Sequence, residues 1–183
     1  MSTLTLGGST LANKTGSVVS INDGVILPAG SVINTLTFET STGVSNDVDQ
    51  FIPLDSTNTS IQIPNYTKGN KLIFWVSVHY IIREGDGYII NLKSYYNQSG
   101  STGAGTPSTS SPWVLNNNYL GHFDTFIATS QNTEDSTTLL DVLTVSGSGT
   151  TNIDYAVYAD FTGTQVNDIV SQKRFVVVQE IQQ

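Results

Sequence analysis

The sequence predicts an all-β sandwich of about eight strands, on three observations. The run Lys71-Leu-Ile-Phe-Trp-Val-Ser-Val-His-Tyr-Ile-Ile82 places Leu72, Phe74, Val76, Val78 and Tyr80 on one face of an extended chain and Ile73, Trp75 and Ile81 on the other. A strand apolar on both faces is expected to be covered on both, at the centre of a sandwich or at a subunit contact. No segment sustains helical spacing: Leu139, Leu140, Val142 and Leu143 would suit one turn, but Thr137, Thr138, Thr144 and Val145 are β-branched and favour a strand. Charged residues make up only 12% of the chain, so Ser, Thr, Asn and Gly must supply the polar surface, which suits a sheet-rich shell.

Taken in order, residues 1–30 form a Gly/Ser/Thr-rich segment with short strand-like pieces at Ser17–Ile21 and Val25–Leu27, closed by the turn Pro28-Ala29-Gly30. This segment reads as an arm or added hairpin, and 31–183 as the sandwich. The predicted sandwich strands are Val32–Phe38, Ser60–Ile63, Lys71–Ile82, Tyr88–Tyr96, Tyr119–Thr129, Thr138–Val145, Asn152–Phe161 and Arg174–Ile181. Glu84-Gly-Asp-Gly87 reads as a hairpin turn, because Asp and Gly tolerate positive φ. Asn97–Ser111 reads as a polar loop unsuited to burial, its far end pinned by Trp113.

With 183 residues the chain can bury a sizeable core as one domain plus an arm. Seven basic residues scattered through a chain of net charge -8 argue against binding a run of phosphates, so no nucleic acid is expected. The absence of cysteine excludes a disulfide scaffold and a thiolate zinc site. The start, Met1-Ser-Thr-Leu-Thr-Leu-Gly-Gly, lacks the basic leader and apolar stretch of a secretory signal, and Leu72–Ile82 is about half the ~20 residues of a membrane span. The expected protein has no signal peptide and no membrane partner.

The possible catalytic groupings are thin. His79 and His122, with Asp124 near the second, nominally offer parts of a Ser-His-Asp triad, but nothing like Gly-x-Ser-x-Gly presents a nucleophile. The pairs Asp47/Asp49 and Glu134/Asp135 do not continue into a calcium-loop pattern, and they read as solvated loop acids. Gly7-Gly8-Ser9-Thr10 and Gly103-Ala104-Gly105 lack the lysine and the strand-to-helix setting of a phosphate cradle. No enzyme, cofactor or metal site is expected. Tyr80, Tyr88, Tyr95, Tyr96, Tyr119, Tyr155 and Tyr158 offer material for a sugar platform, against the commoner use of Tyr in a sandwich, a buried ring with a wet hydroxyl.

The order of features is specific enough to compare with a known group. Ile61-Gln-Ile-Pro64, a turn with Lys68-Gly69, Lys71-Leu-Ile-Phe-Trp-Val, Leu140-Asp141, Ser146-Gly-Ser-Gly149, Tyr155-Ala-Val-Tyr158 and Phe175-Val-Val-Val-Gln-Glu-Ile181 follow one another. Over Ser31–Gln183 this resembles the jelly-roll domains of bacteriophage virion proteins, marine-phage fibre tips and head-decoration proteins, a group similar in fold to the tumour-necrosis-factor and complement globular-head trimers. Many members carry an Arg-Gly hairpin after the central strands, where this chain has Arg83 followed by Glu84-Gly85-Asp86-Gly87.

The resemblance implies a jelly roll, a homotrimer, other virion proteins as partners, and a place on the virion surface after synthesis in the host cytoplasm. A capsid decoration, or cement, protein needs only a knob and a short adhesive arm. A fibre would need room for a shaft and an anchor, and about 30 residues precede the jelly roll. The alternative is a tail fibre tip or adhesin in which Asn97–Ser111 and exposed tyrosines meet a host glycan. Leu4, Leu6 and Leu11 are the candidate attachment residues of the arm, alternating at Leu4 and Leu6 as a strand added to an exposed edge would. Tyr155 and Tyr158 point to opposite faces of one strand, so one is expected to serve the core and the other a neighbouring subunit.

Overall fold

In the computed structural model, residues 2–6, 9–15, 18–21, 29–41, 44–45, 49–84, 86–100, 103–126, 133–162 and 167–183 are described. Strands occupy most of them, and no helix occurs among them. Three strands precede the sandwich: β1 (Ser2–Leu6), β2 (Ser9–Thr15) and β3 (Val18–Ile21), an antiparallel sheet in the order β1-β2-β3. Then come β4 (Val32–Thr40), β5 (Val44–Ser45), β6 (Gln50–Ile52), β7 (Ser60–Thr67), β8 (Lys71–Glu84), β9 (Asp86–Ser99), β10 (Val114–Phe126), β11 (Thr133–Leu143), β12 (Thr150–Thr162) and β13 (Asn167–Ile181).

Two five-stranded antiparallel sheets make the sandwich. One runs β11-β8-β13-β4 with β5 also on β13, and the other β10-β9-β12-β6 with β7 also on β12. Among the long strands, the first pairs with the last (β4 with β13), then β7 with β12, β8 with β11 and β9 with β10. That nesting is a long hairpin rolled up, the jelly roll.

The alternation in β8 explains why it is central. Leu72, Phe74, Val76 and Val78 are fully buried and meet Ile90 and Leu92 of β9 and Ile153, Tyr155, Val157 and Ala159 of β12 in one core. Burying each large side chain contributes about 1.5–3 kcal/mol. The Phe74 and Tyr155 rings stack with centroids 3.9 Å apart and planes 14° from parallel, joining the two sheets. Within one chain only this inner face is covered: Ile73, Trp75, Ser77 and His79 on the outer face stay half-buried.

Several boundaries differ from the sequence expectation. β7 continues through Pro64 and Asn65, which has φ 56°, to Thr67, because β7 lies at a sheet edge where a missing N–H costs no ladder bond. β10 begins at Val114 rather than Tyr119, and β5 and β6 were not anticipated. Val25–Leu27 lies outside the described residues. The connection at Glu84–Asp86 is not a hairpin within one sheet. β8 pairs with β11 and β13 while β9 pairs with β10 and β12, so the chain crosses between sheets and sets its two apolar rows face to face.

The end of the sandwich is closed by buried polar groups with partners. The Glu180 carboxylate accepts from Thr67 N at 3.0 Å and Asn70 Nδ2 at 2.7 Å, tying β13 to the β7–β8 turn. The Tyr66 hydroxyl donates to Asn70 O and accepts from Val145 N at 3.1 Å. Such satisfied groups fix the turn without the penalty of an unpaired buried atom.

Candidate assembly surface

Among the described residues, the flank formed by β10 and β11, edge strands of opposite sheets, carries most of the exposed large hydrophobic side chains. β10 is irregular: its register against β9 shifts between Leu115 and Asn117 and again between Asn117 and Gly121. Tyr119 N donates to Asn117 Oδ1 at 3.0 Å within this bulge. A Cβ at Gly121, beside this bulge, would lie 2.3 Å from Leu139 Cδ2 of β11, so a larger residue there requires Leu139 to shift. Asn116 Nδ2 donates to both Asp141 oxygens at 3.1 Å and to Val142 O at 3.2 Å, lacing the two edges together.

Asp141 itself is nearly enclosed and also accepts from the Tyr155 hydroxyl at 2.8 Å and Val142 N at 2.9 Å. Burial, and then the adjacent Asp141 charge, pushes the Tyr155 phenol well above its usual range. A buried hydrogen-bonded network of this kind rigidifies the flank. On that rigid base Val114, Leu115 and Tyr119 of β10 and Leu140 and Val142 of β11 stand 44–58% exposed.

The apolar surface continues across the outer face of the β11-β8-β13-β4 sheet. Leu140, Trp75 and Val177 lie directly opposite one another along one row, and Val142, Ile73 and Gln179 along a neighbouring row. Beyond them Glu39, Ser77, His79, Lys173 and Phe175 line a shallow depression of about 280 Å³, bordered by the exposed Lys173–Glu39 ion pair at 2.9 Å. Among the exposed large hydrophobic residues, Phe175 belongs to this face.

The opposite sheet is covered differently. Gln62 Nε2 donates to Gly103 O at 2.8 Å and to Asp154 Oδ1 at 2.9 Å, while its Oε1 accepts from Gly103 N at 3.0 Å. Gly105 N donates to Asp154 Oδ2 at 3.2 Å, and the Ser60 hydroxyl to Gly105 O. The loop expected to be too polar for burial is therefore clasped onto β7 and β12, because backbone amides and a buried carboxylate satisfy one another there. Its far end is held by Trp113, buried against Tyr95 and Ala156. Beside it the half-buried rings of Phe51 and Tyr158 pack edge to face at 4.9 Å, next to the Lys93–Asp160 ion pair. The Asp160 hydrogen bond raises the Lys93 pKa.

Of the two tyrosines offered as subunit contacts, Tyr155 is fully enclosed in the core and cannot meet a neighbour, whereas Tyr158 lies on the outer face. Leu4 and Leu6 fall in β1 and Leu11 in β2, opposite the register shift at Leu4/Thr5, and their side chains lie outside the description. Within the segment read as an arm or added hairpin, β1, β2 and β3 pair with one another as a three-stranded sheet. His79 faces out beside Ser77, while His122 and Asp124 are on β10 of the other sheet. Among the described residues no three His, Cys, Asp or Glu side chains gather as metal ligands, and no helix is long and apolar enough to cross a membrane. The flank residues were missed, although the pairs Val114-Leu115 and Leu139-Leu140 carried the signal: adjacent apolar residues in a strand send one side chain to each face.

No protein-family model matches the chain, and no curated protein does. Among solved structures it is similar to the infectious bursal disease virus Gx strain structure (7% identity, TM-score 0.40, 97% of this chain and 41% of that one). It is also similar to the infectious bursal disease virus VP2 subviral particle (12%, 0.39, 93% and 37%) and to latent PorU of Porphyromonas gingivalis (8%, 0.33, 85% and 14%). The chain spans about two fifths of the length of the viral chains it matches. At these identities and TM-scores the likenesses bear on neither activity nor partners.

Proposed function

We propose that this chain is a non-enzymatic structural protein of a virion, most specifically a capsid decoration protein that works by binding as a homotrimer. The observation that carries the assembly part is the apolar flank, where Val114, Leu115, Tyr119, Leu140 and Val142 stand open on a rigid base and run into Ile73 and Trp75. Contiguous exposed apolar surface marks an interaction site, and about 800 Å² per partner suffices for a stable contact. The virion role rests on the sequence resemblance to phage jelly-roll proteins. Many modest contacts summed over a lattice reinforce a shell without any turnover.

The test is the double variant Leu140→Asp/Val142→Asp, two exposed positions whose charges leave the core intact. Light scattering is expected to report a trimer for the parent chain and a monomer for the variant, with an unchanged circular-dichroism spectrum. Equal masses for the two proteins would remove the flank as the contact. Imaging of particles carrying the tagged chain then decides placement: many copies over the head are expected, and a few copies at a tail would favour the second reading. That reading, a fibre tip or adhesin, draws on the Phe51–Tyr158 ring pair beside Lys93 and Asp160, a mixture of ring and hydrogen-bonding groups suited to a pyranose. Glycan binding abolished by Tyr158→Ala would support it.

A further inference from the structure

The sandwich edges are protected unequally. β10 is bulged, β7 carries Pro64 and the positive-φ Asn65, and β6 and β5 are three and two residues long. β11 is flanked by β10, whose Asn116 takes the Val142 carbonyl. Bulges, prolines, brevity and cover are the devices by which natural sheets keep an edge from recruiting another strand.

Among the described residues, β4 has none of them along Asn34–Thr40. It pairs with β13 in unbroken register there, contains neither Pro nor Lys, and its one charge, Glu39, is engaged by Lys173. Thr35, Thr37 and Glu39 are exposed, and β4 is the last strand of its sheet.

The same edge is where the N-terminal segment departs. Gly30 N donates to Gln182 O at 2.7 Å and Gln182 N to Ser31 O at 2.9 Å, fixing the chain at the entry to β4. Before that point the β1-β2-β3 sheet has two outer strands, and among the described residues it joins neither sandwich sheet. So small a sheet gains stability by joining a larger one. Residues 22–29 have a reach of at most roughly 28 Å at full extension.

We infer that β4 is an acceptor edge, and that an outer strand of the β1-β2-β3 sheet from a second copy adds to it. The inference rests on the assembly reading above and names a second contact within it, made of backbone hydrogen bonds rather than apolar side chains. Specificity would come from alternating side chains, affinity from the ladder.

Amide hydrogen exchange on the full chain tests it, over a concentration series and beside two variants: deletion of Ser2–Ile21, and Thr35→Lys/Thr37→Lys, which places cations on the exposed edge. In the full chain alternate amides of Asn34–Thr40 are expected to exchange at least tenfold more slowly as concentration rises. Both variants should abolish that slowing while β8 amides keep their protection, which shows that the sandwich remains folded. Exchange at β4 that is fast at every concentration, or equal in the full and truncated chains, overturns the inference. Slow exchange independent of concentration does so too, since the arm would then fold onto its own edge. In Leu140→Asp/Val142→Asp the β4 slowing should persist, so failure of the flank contact and failure of the edge contact give different results.

Discussion

Replacing Tyr155 with Phe removes one hydroxyl from the centre of the sandwich and leaves the ring stacked on Phe74. The lost bond is the 2.8 Å donation to Asp141, a carboxylate only 3% exposed. Hydrogen bonds to charged groups contribute about 1.5–3 kcal/mol. Because Asp141 keeps Asn116 and Val142 as donors, the lower half of that range applies, about 1.5–2 kcal/mol of a total near 5–15. In urea denaturation, where the slope is about 1–3 kcal/mol per molar, the midpoint should fall by roughly 1 M. The effect also carries a pH signature. Burial, then Asp141, raises the Tyr155 pKa well above 10.0, so as pH climbs past that value the unfolded chain loses this proton while the folded chain holds it. Stability fully present below pH 10.0 is therefore lost as pH rises toward the folded value. The variant has no such proton, and its deficit against the parent should narrow in alkali. An unfolding free energy within ~0.5 kcal/mol of the parent's, with a gap constant across pH, would refute the assigned bond, since surface-like changes fall in that range.

Two further outcomes follow from the flank and the clasped loop. Gly121→Ala should destabilise by about 1–3 kcal/mol by thermal or urea melting, because its Cβ meets Leu139 Cδ2, and Leu139→Ala in the same chain should recover part of the loss; strict additivity of the two would count against the contact. Trp113→Ala should speed proteolytic cleavage within residues 103–112 severalfold while the strands of the sandwich stay resistant, and unchanged cleavage would mean that Gln62 and Asp154 hold the loop without it.

The all-β class and the central place of Lys71–Ile82 were legible from residues alone, because a two-residue period is written directly into apolar spacing. So was the opposition of Tyr155 and Tyr158, three positions apart on one strand. Which of the two serves the core was not, since that depends on which face of β12 turns toward Phe74, and a strand's alternation is blind to direction. The open flank escaped for a related reason: Val114-Leu115 lay ahead of the strand expected from Tyr119, and Leu139-Leu140 read as ordinary strand material until β10 and β11 prove to be edges. The crossing at Glu84–Asp86 escaped too, because the Gly-Asp-Gly stretch is compatible with a turn inside a sheet or between sheets, and only the partners of β8 and β9 choose. Sequence by itself determined the period, hence the strands and the alternation of their faces. Tertiary structure decided which faces and edges stay unpaired, because exposure belongs to pairs of strands brought together from distant parts of the chain.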